Sequence, residues 1–483
     1  MQRNRVAPAA ALPASPTGQG QGAWREFGAR VRHWRRRAGL TQAQLGAGIG
    51  YDHTAVSKIE HGARRVAPRT ADRIDGLLGA GGDLSAACLH AETAELSALD
   101  SFSPALLRPP LPAGAPAAVP PADAVLPAAV LPSPARLPDY GLLCPLHGAE
   151  GCEVPGPAEL AARYAEFCSP KVLVDPAAAP PLDAGTAHAL TGLLAAHLRA
   201  GEIGGRPGLA AAVERTLHAV LARLATAPAA RRAPLARLAA EHAHAAGALR
   251  MQDGRNATAM ACYDRALTWA GLAGDLATQV GTLSDLSILA RLDGDPQAAL
   301  GYAREIDRIA PGRPWAGAMD RVSRARAYAL TGDVRAAVRQ IGLARAHLEH
   351  IGTQDEVDVP WLSIASMRMR VESAAAAALR DLAAAGDDLR LARRALSATE
   401  TALSLLGPNQ LPASRLLFIV RAADCHACAH DPRTALEILA PALEAAPATA
   451  LPALVEHELR GLRGRLAAHE PRAAHRLAEL ARS

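Results

Sequence analysis

The sequence predicts an all-α protein in which two helical units are separated by a proline-rich linker. Three observations carry that reading. Half of the 483 residues are apolar but only 3% are aromatic, and alanine, leucine and arginine dominate. That usage favours helices over sheets. Apolar residues recur at helical spacing through most of the chain, which is the mark of amphipathic helices. Between Ser101 and Asp139 the pattern breaks, and eleven prolines stand among alanines with few charges. Such a stretch can be neither a helix nor a central strand. The length itself calls for two or three domains.

The elements follow in order. Residues 1–22, rich in Ala, Pro, Gly and Gln, are expected to be disordered. Trp24 to Arg37 is amphipathic, with Trp24, Phe27, Val31 and Trp34 on one face and Arg25, Arg32 and Arg36 elsewhere. Next comes TQAQLGAGIGYDHTAVSKIEHG, Thr41 to Gly62, which reads as two short helices around a tight turn. Thr41 and Gln44 have the spacing of a capping box. Gly50 suits the corner, and Asp52 suits the cap of the second helix. On that helix Ala55, Val56 and Ile59 share an inward face, while His53, Thr54, Ser57 and Lys58 share an outward one. Pro68 fits a first helical turn, Ile74, Leu77 and Leu78 form its apolar edge, and Gly79–Gly82 stops it. A connecting helix is expected from Leu84 to Leu99. The expected divisions are therefore 23–82, 83–100, a linker over 101–139, and a second unit over 140–483.

An outer face of short polar groups on a fixed helix suits a DNA major groove. The string also resembles the Cro/C1-type (XRE) helix-turn-helix family, through Thr41, Gln42, Leu45, Gly50, Val56, Ser57, Ile59, Glu60 and Gly62. The resemblance implies a five-helix, lambda-repressor-like DNA-binding domain. It implies DNA contacts from Thr41, Gln42, His53, Thr54, Ser57, Lys58 and Arg36, with Gln42 meeting a phosphate. It also implies an Arg35–Glu60 pair tying the first helix to the recognition helix, worth little if exposed. Gly46 stands where the family usually has alanine. With Gly48 it is expected to weaken the first helix of the motif, at about 1 kcal/mol each.

Charge supports a nucleic-acid partner at this end. Trp24 to Gly79 holds eleven Lys/Arg against five Asp/Glu, although the whole chain carries only +5. Lysine occurs only at Lys58 and Lys171; this arginine-heavy composition resembles that of high-GC bacteria such as actinomycetes.

From Ala184 onward the pattern is nearly all helix. Between Arg231 and Pro447 a unit recurs, with breaks at Asp253-Gly254, Asp293-Gly294-Asp295, Gly332-Asp333, Gly386-Asp387 and His430-Asp431-Pro432. The early breaks lie about forty residues apart, which resembles degenerate tetratricopeptide (TPR-like) repeats and implies a C-terminal α-solenoid. Tyr263, Ala266, Tyr302, Ala327 and Tyr328 stand where such repeats place packing residues.

Seven scattered cysteines point to reduced thiols in a cytoplasm. The segment CPLHGAEGC places Cys144, His147 and Cys152 like half a zinc site. A fourth ligand has no clear spacing, although Cys168 or His188 could supply it; the loop is read as incidental, with no metal expected. Cys425 and Cys428, with His426 and His430, read as ordinary packing. No phosphate loop, dinucleotide fingerprint, nucleophile elbow or H-E-x-x-H is present. No signal-peptide core and no membrane span are read. The expectation is a non-enzymatic, cytoplasmic, sequence-specific transcription regulator without a cofactor. It would bind double-stranded DNA as a homodimer, and its repeats would take a peptide, small-molecule or protein partner. The alternative is an interaction scaffold whose repeats dock proteins and whose basic module binds DNA weakly.

Overall fold

The computed structural model describes residues 17–49, 51, 53–62, 66, 68–91, 136–137, 142–148, 150–169, 182–203, 208–353, 355, 359, 364–406, 412–444 and 451–480. The expectations for residues 1–16, Gly50, Asp52, 92–100 and linker positions 101–135 lie outside them. Among the described residues the fold is all-α, and the β-pairing there is limited to isolated bridges such as Arg136–Glu153 and Cys144–Gly148. No helix there is long and apolar enough to cross a membrane. The chain divides into two units, Met1–Ala117 and Ala118–Ser483.

The first unit holds α1 (Thr17–Arg37), α2 (Gln42–Ile49), α3 (His53–Glu60), α4 (Pro68–Leu78) and α5 (83–91). Its core joins Trp24, Phe27 and Val31 of α1 to Leu45, Val56, Ile59 and Ile74, and closes on Leu84, Cys88 and Ala91 of α5. Two expectations change here. Residues 17–22 are helical, because extending a nucleated helix is far easier than starting one. Residues 83–91 are a core helix of this unit and not only a connection, since Leu84 and Ala91 are completely buried. Asp75 fixes the start of α5 by accepting from the backbone N–H groups of Gly82, Leu84 and Ser85. Asp83 fixes its other flank, accepting from Trp34 Nε1 at 2.8 Å and from Arg30 at 2.7 Å. Leu77, placed by its spacing on the apolar edge, is 42% exposed.

The second unit opens on a short loop and α6 (Pro157–Phe167), followed by α7 (Ala184–Ile203) and α8 (Leu209–Thr226). The expected linker boundary at 139 is too late. Leu137 is already buried in this unit's core with Leu160, Tyr164 and Leu190, and its N–H donates to the Cys152 carbonyl. Consecutive helix pairs follow: α9 (Ala229–Gln252) with α10 (Asn256–Ala273), α11 (Leu276–Leu292) with α12 (Pro296–Ile309), and α13 (Pro314–Leu330) with α14 (Val334–Leu348). Then come α15 (Ile364–Gly386) with α16 (Leu389–Ser404), α17 (Pro412–Cys428) with α18 (Pro432–Glu444), and α19 (Ala453–His469) with α20 (Pro471–Leu480).

The turns within the first five of these pairs are the breaks read from the sequence, and four of them, all but the turn at Gly254, share one local design. A left-handed residue ends one helix, and an acceptor starts the next. Gly254, Gly294 and Gly332 take that conformation first; in later turns Asp387 and His430 do, at φ 49 and 63. Those two non-glycine residues also hydrogen-bond to each other at 3.1 Å. Asp295, Asp333 and Asp388 then accept from N–H groups of the following first turn.

The first helix of each pair packs on the first helix of the next, so the unit is a stacked helical array. Its start meets its end, because α7 touches α17 and α9 touches α19. Tyr263, Ala266 and Ala327 are completely buried, whereas Tyr302 and Tyr328 pack from the edge of the core. Between the stacked helices lies a buried ion network. Arg380 donates to Asp381 and Glu458 and lies 3.1 Å from Asp424, Arg421 holds Glu458 at 3.0 Å, and Arg326 holds Asp381 at 2.9 Å. Burial alone would raise the Glu458 pKa, but Arg380, Arg421 and Arg326 hold it well below the usual carboxylate range.

Candidate nucleic-acid interface

The α2–α3 corner is built from local hydrogen bonds upward. The Thr41 N–H donates to Gln44 Oε1 at 2.8 Å, and the Gln44 N–H donates to Thr41 Oγ1 at 3.2 Å. The reciprocal cap starts α2. Leu45 and Ile49 of α2 are buried, as are Ala55, Val56 and Ile59 of α3. Against that anchored side, His53, Thr54 and Lys58 of α3 are exposed and Ser57 is half-buried. The four residues read as an outward face therefore lie together on one side of a packed helix.

Glu60, the last residue of α3, holds that helix to the rest. Its side chain is 1% exposed and its Arg35 partner 11%. Arg35 is bidentate, with Nε to Oε1 at 2.5 Å and an amino nitrogen to Oε2 at 3.2 Å, and also donates to the Leu40 carbonyl. Arg32 reaches the same carboxylate at 3.3 Å, and Gln42 Nε2 donates to it at 2.9 Å. Burial pushes the Glu60 pKa up, but the bonds from Arg35 and Gln42 and the charges of Arg35 and Arg32 outweigh it, so its pKa lies below the ordinary value.

One expectation holds and one is revised. The Arg35–Glu60 pair forms, and because its carboxylate is buried and shared with Arg32 and Gln42, the small energies of surface ion pairs do not apply. Gln42, assigned to a phosphate, turns its amide inward because Glu60 offers a buried carboxylate that needs a further donor. Thr41 stays exposed while its hydroxyl serves the cap, and Arg36 is exposed near the end of α1.

Sequence reasoning missed three contributors. Arg32 lies one helical turn before Arg35, and that i,i+3 spacing could have flagged it. Besides Glu60, Arg32 contacts His61 Nε2 at 2.9 Å, and His61 Nδ1 lies 2.7 Å from the Ser57 carbonyl. Gly28 lets α1 meet the end of α3; a Cβ there would stand 2.3 Å from the Ile59 carbonyl oxygen. Gly62, seen only as a motif match, takes φ 68 and would place a Cβ 2.7 Å from the Arg25 backbone. Gly48 has a local use too: the space it leaves is taken by the Leu77 side chain of α4.

Residues 26–87 match the family model described as Helix-turn-helix domain. This segment is a DNA-binding domain. The match begins at the tenth residue of α1, spans α2 to α4 and ends at the fifth residue of α5, and so reaches the helix that sequence spacing set apart. No curated protein and no solved structure matches the chain.

A separate cluster lies at the start of the second unit. One ligand atom each from Cys144, His147, Cys152 and His188 lies within 4.8 Å of all the others. Cys168, the other fourth-ligand candidate, is buried against Tyr164, and burial pushes its thiol up to about 11. Cys425 and Cys428 do pack as thiols: Cys425 is buried against Thr399, and Cys428 faces the Arg380 carbonyl.

Proposed function

We propose that this protein is a cytoplasmic transcription regulator of the XRE kind, whose α3 reads a specific DNA sequence in the major groove. The observation that supports this most is the contrast between the two sides of α3. One side is buried and clamped through Glu60, and the other presents His53, Thr54 and Lys58 to solvent. In this reading His53, Thr54 and Lys58 reach base edges, Ser57 lines the same face, and Arg36 and Thr41 approach phosphates. Gln42 acts indirectly by completing the Glu60 cluster.

The stacked pairs of the second unit serve as a TPR-like dimerisation and sensing domain, non-catalytic and without a cofactor. One helix-turn-helix has a small footprint, whereas a dimer lets two recognition helices enter successive grooves about 34 Å apart. A peptide, small molecule or protein partner would act by changing the spacing of the two DNA-binding units. Selection of bound sequences from random DNA by the full chain tests the proposal. A two-fold symmetric motif supports a dimeric regulator. Recovery of no motif would favour a scaffold with accessory DNA binding.

A further inference from the structure

The segment that opens the second unit is short of regular structure. Residues 136–154 carry two isolated bridges and no helix among the described residues. Even so, the segment holds one defined turn: the Gly148 N–H donates to the Cys144 carbonyl at 2.8 Å, with Gly148 and Gly151 in left-handed conformations. That turn brings His147 back over the two thiols. His147 Nδ1 lies 3.5 Å from Cys144 Sγ and 3.3 Å from Cys152 Sγ. To these α7 adds His188, whose ring lies 5.6 Å from that of His147. His188 Nε2 is buried and has no hydrogen-bond partner among the described residues.

We propose that Cys144, His147, Cys152 and His188 bind one structural zinc ion. A tetrahedral zinc with bonds of about 2.3 Å to sulfur and about 2.05 Å to nitrogen spaces its ligands about 3.3–3.8 Å apart. The two His147–thiol distances already lie at that spacing, and the widest separation needs to contract by only about 1 Å. Two thiolates and two imidazoles in a tetrahedron select zinc over the hard cations. All four positions come from the protein, so the site is closed and structural. On binding, the two thiols give up their protons to solvent and each sulfur donates an electron pair to the metal. The ion would fasten the 142–153 loop to α7 and thereby fix where the chain enters the helical array. Sequence spacing predicted no metal because His188 is remote from the loop in sequence; the fold closes that gap.

The test uses the full chain purified without chelator, with zinc measured by elemental analysis. About one equivalent per chain is expected, falling below about a tenth in Cys152→Ser and in His188→Ala. Cys428→Ser, whose thiol packs elsewhere, should keep the full amount. Because a variant could misfold, the unsubstituted chain is also stripped of metal and titrated with cobalt(II). Strong tetrahedral d–d absorption with sulfur-to-cobalt charge transfer, displaced by zinc, is the expected spectrum. An unsubstituted chain that takes up neither ion, a cobalt spectrum without the sulfur band, or full zinc retained in both site variants overturns the proposal.

Discussion

Replacing Glu60 by alanine should do far more damage than losing one surface charge. The change leaves the Arg35 guanidinium, 11% exposed, without its carboxylate, and also strips Arg32 and Gln42 of an acceptor. Breaking a buried pair from one side costs about 3–5 kcal/mol, much of it the penalty of an uncompensated buried charge. A five-helix domain of this size is stable by about 4–11 kcal/mol, so the substitution removes a large share of that stability. The assay is amide hydrogen exchange on the full chain, read over peptides from α1 and α3. Protected amides there should exchange roughly a hundred- to several-thousand-fold faster, while those of the second unit stay unchanged. The same residue gives a pH test. Because the folded Glu60 pKa is lowered, its contribution is fully present above the ordinary value of 4.5 and is lost as pH falls below it. Protection of α1 and α3 should therefore drop across that acid range in the native chain and lose that dependence in Glu60→Ala. Acceleration of less than about fivefold, the scale of a surface pair, would refute the reasoning.

Further outcomes follow from the same contacts. Gln42→Ala removes one hydrogen bond to a buried carboxylate and should lower the domain's stability by about 1.5–3 kcal/mol, as read by the same exchange experiment. Gly28→Ala forces a Cβ into the Ile59 carbonyl and should separate α1 from α3, costing at least about 1–3 kcal/mol and weakening all DNA binding in shift assays. Arg380→Ala removes the guanidinium shared by Asp381, Asp424 and Glu458, each of which keeps one other arginine, and should destabilise the second unit by about 1.5–3 kcal/mol in chemical denaturation, leaving exchange in α3 untouched. Light scattering on the full chain should give twice the chain mass if the stacked pairs dimerise.

What the sequence shows and hides follows from the range of the interactions. The Thr41–Gln44 cap, the inward and outward sides of α3 and the aspartate-capped turns of the array all act over three or four residues. Local spacing therefore reveals them. The third interval between breaks, from Gly332 to Asp387, is longer because residues 349–363 intervene before α15. Gln42 is different: its position at the start of α2 is visible, but its partner Glu60 comes from another helix. Gly28, Leu137 and His188 likewise depend on packing between distant segments. Gly28 looks like any helical glycine until α3 is laid against it, and His188 stands in the sequence as one fourth-ligand candidate beside Cys168 until the fold brings it to the loop. The fifth helix was legible as a helix, while its place in the core needed Leu84, Cys88 and Ala91 to be seen against Val66 and Ile74.

The central claim is that the outer side of α3 chooses the DNA sequence, and one measurement addresses it directly. The full chain and a His53→Ala, Lys58→Ala double variant are titrated against the selected site and against versions with single base-pair changes. Both substitutions are on exposed positions, so stability should change by no more than about 0.5 kcal/mol. The expected result is a loss of about 1–3 kcal/mol per base contact on the selected site, with discrimination between the site and its altered versions largely gone. A folded double variant that keeps the full preference for the selected site would contradict the account.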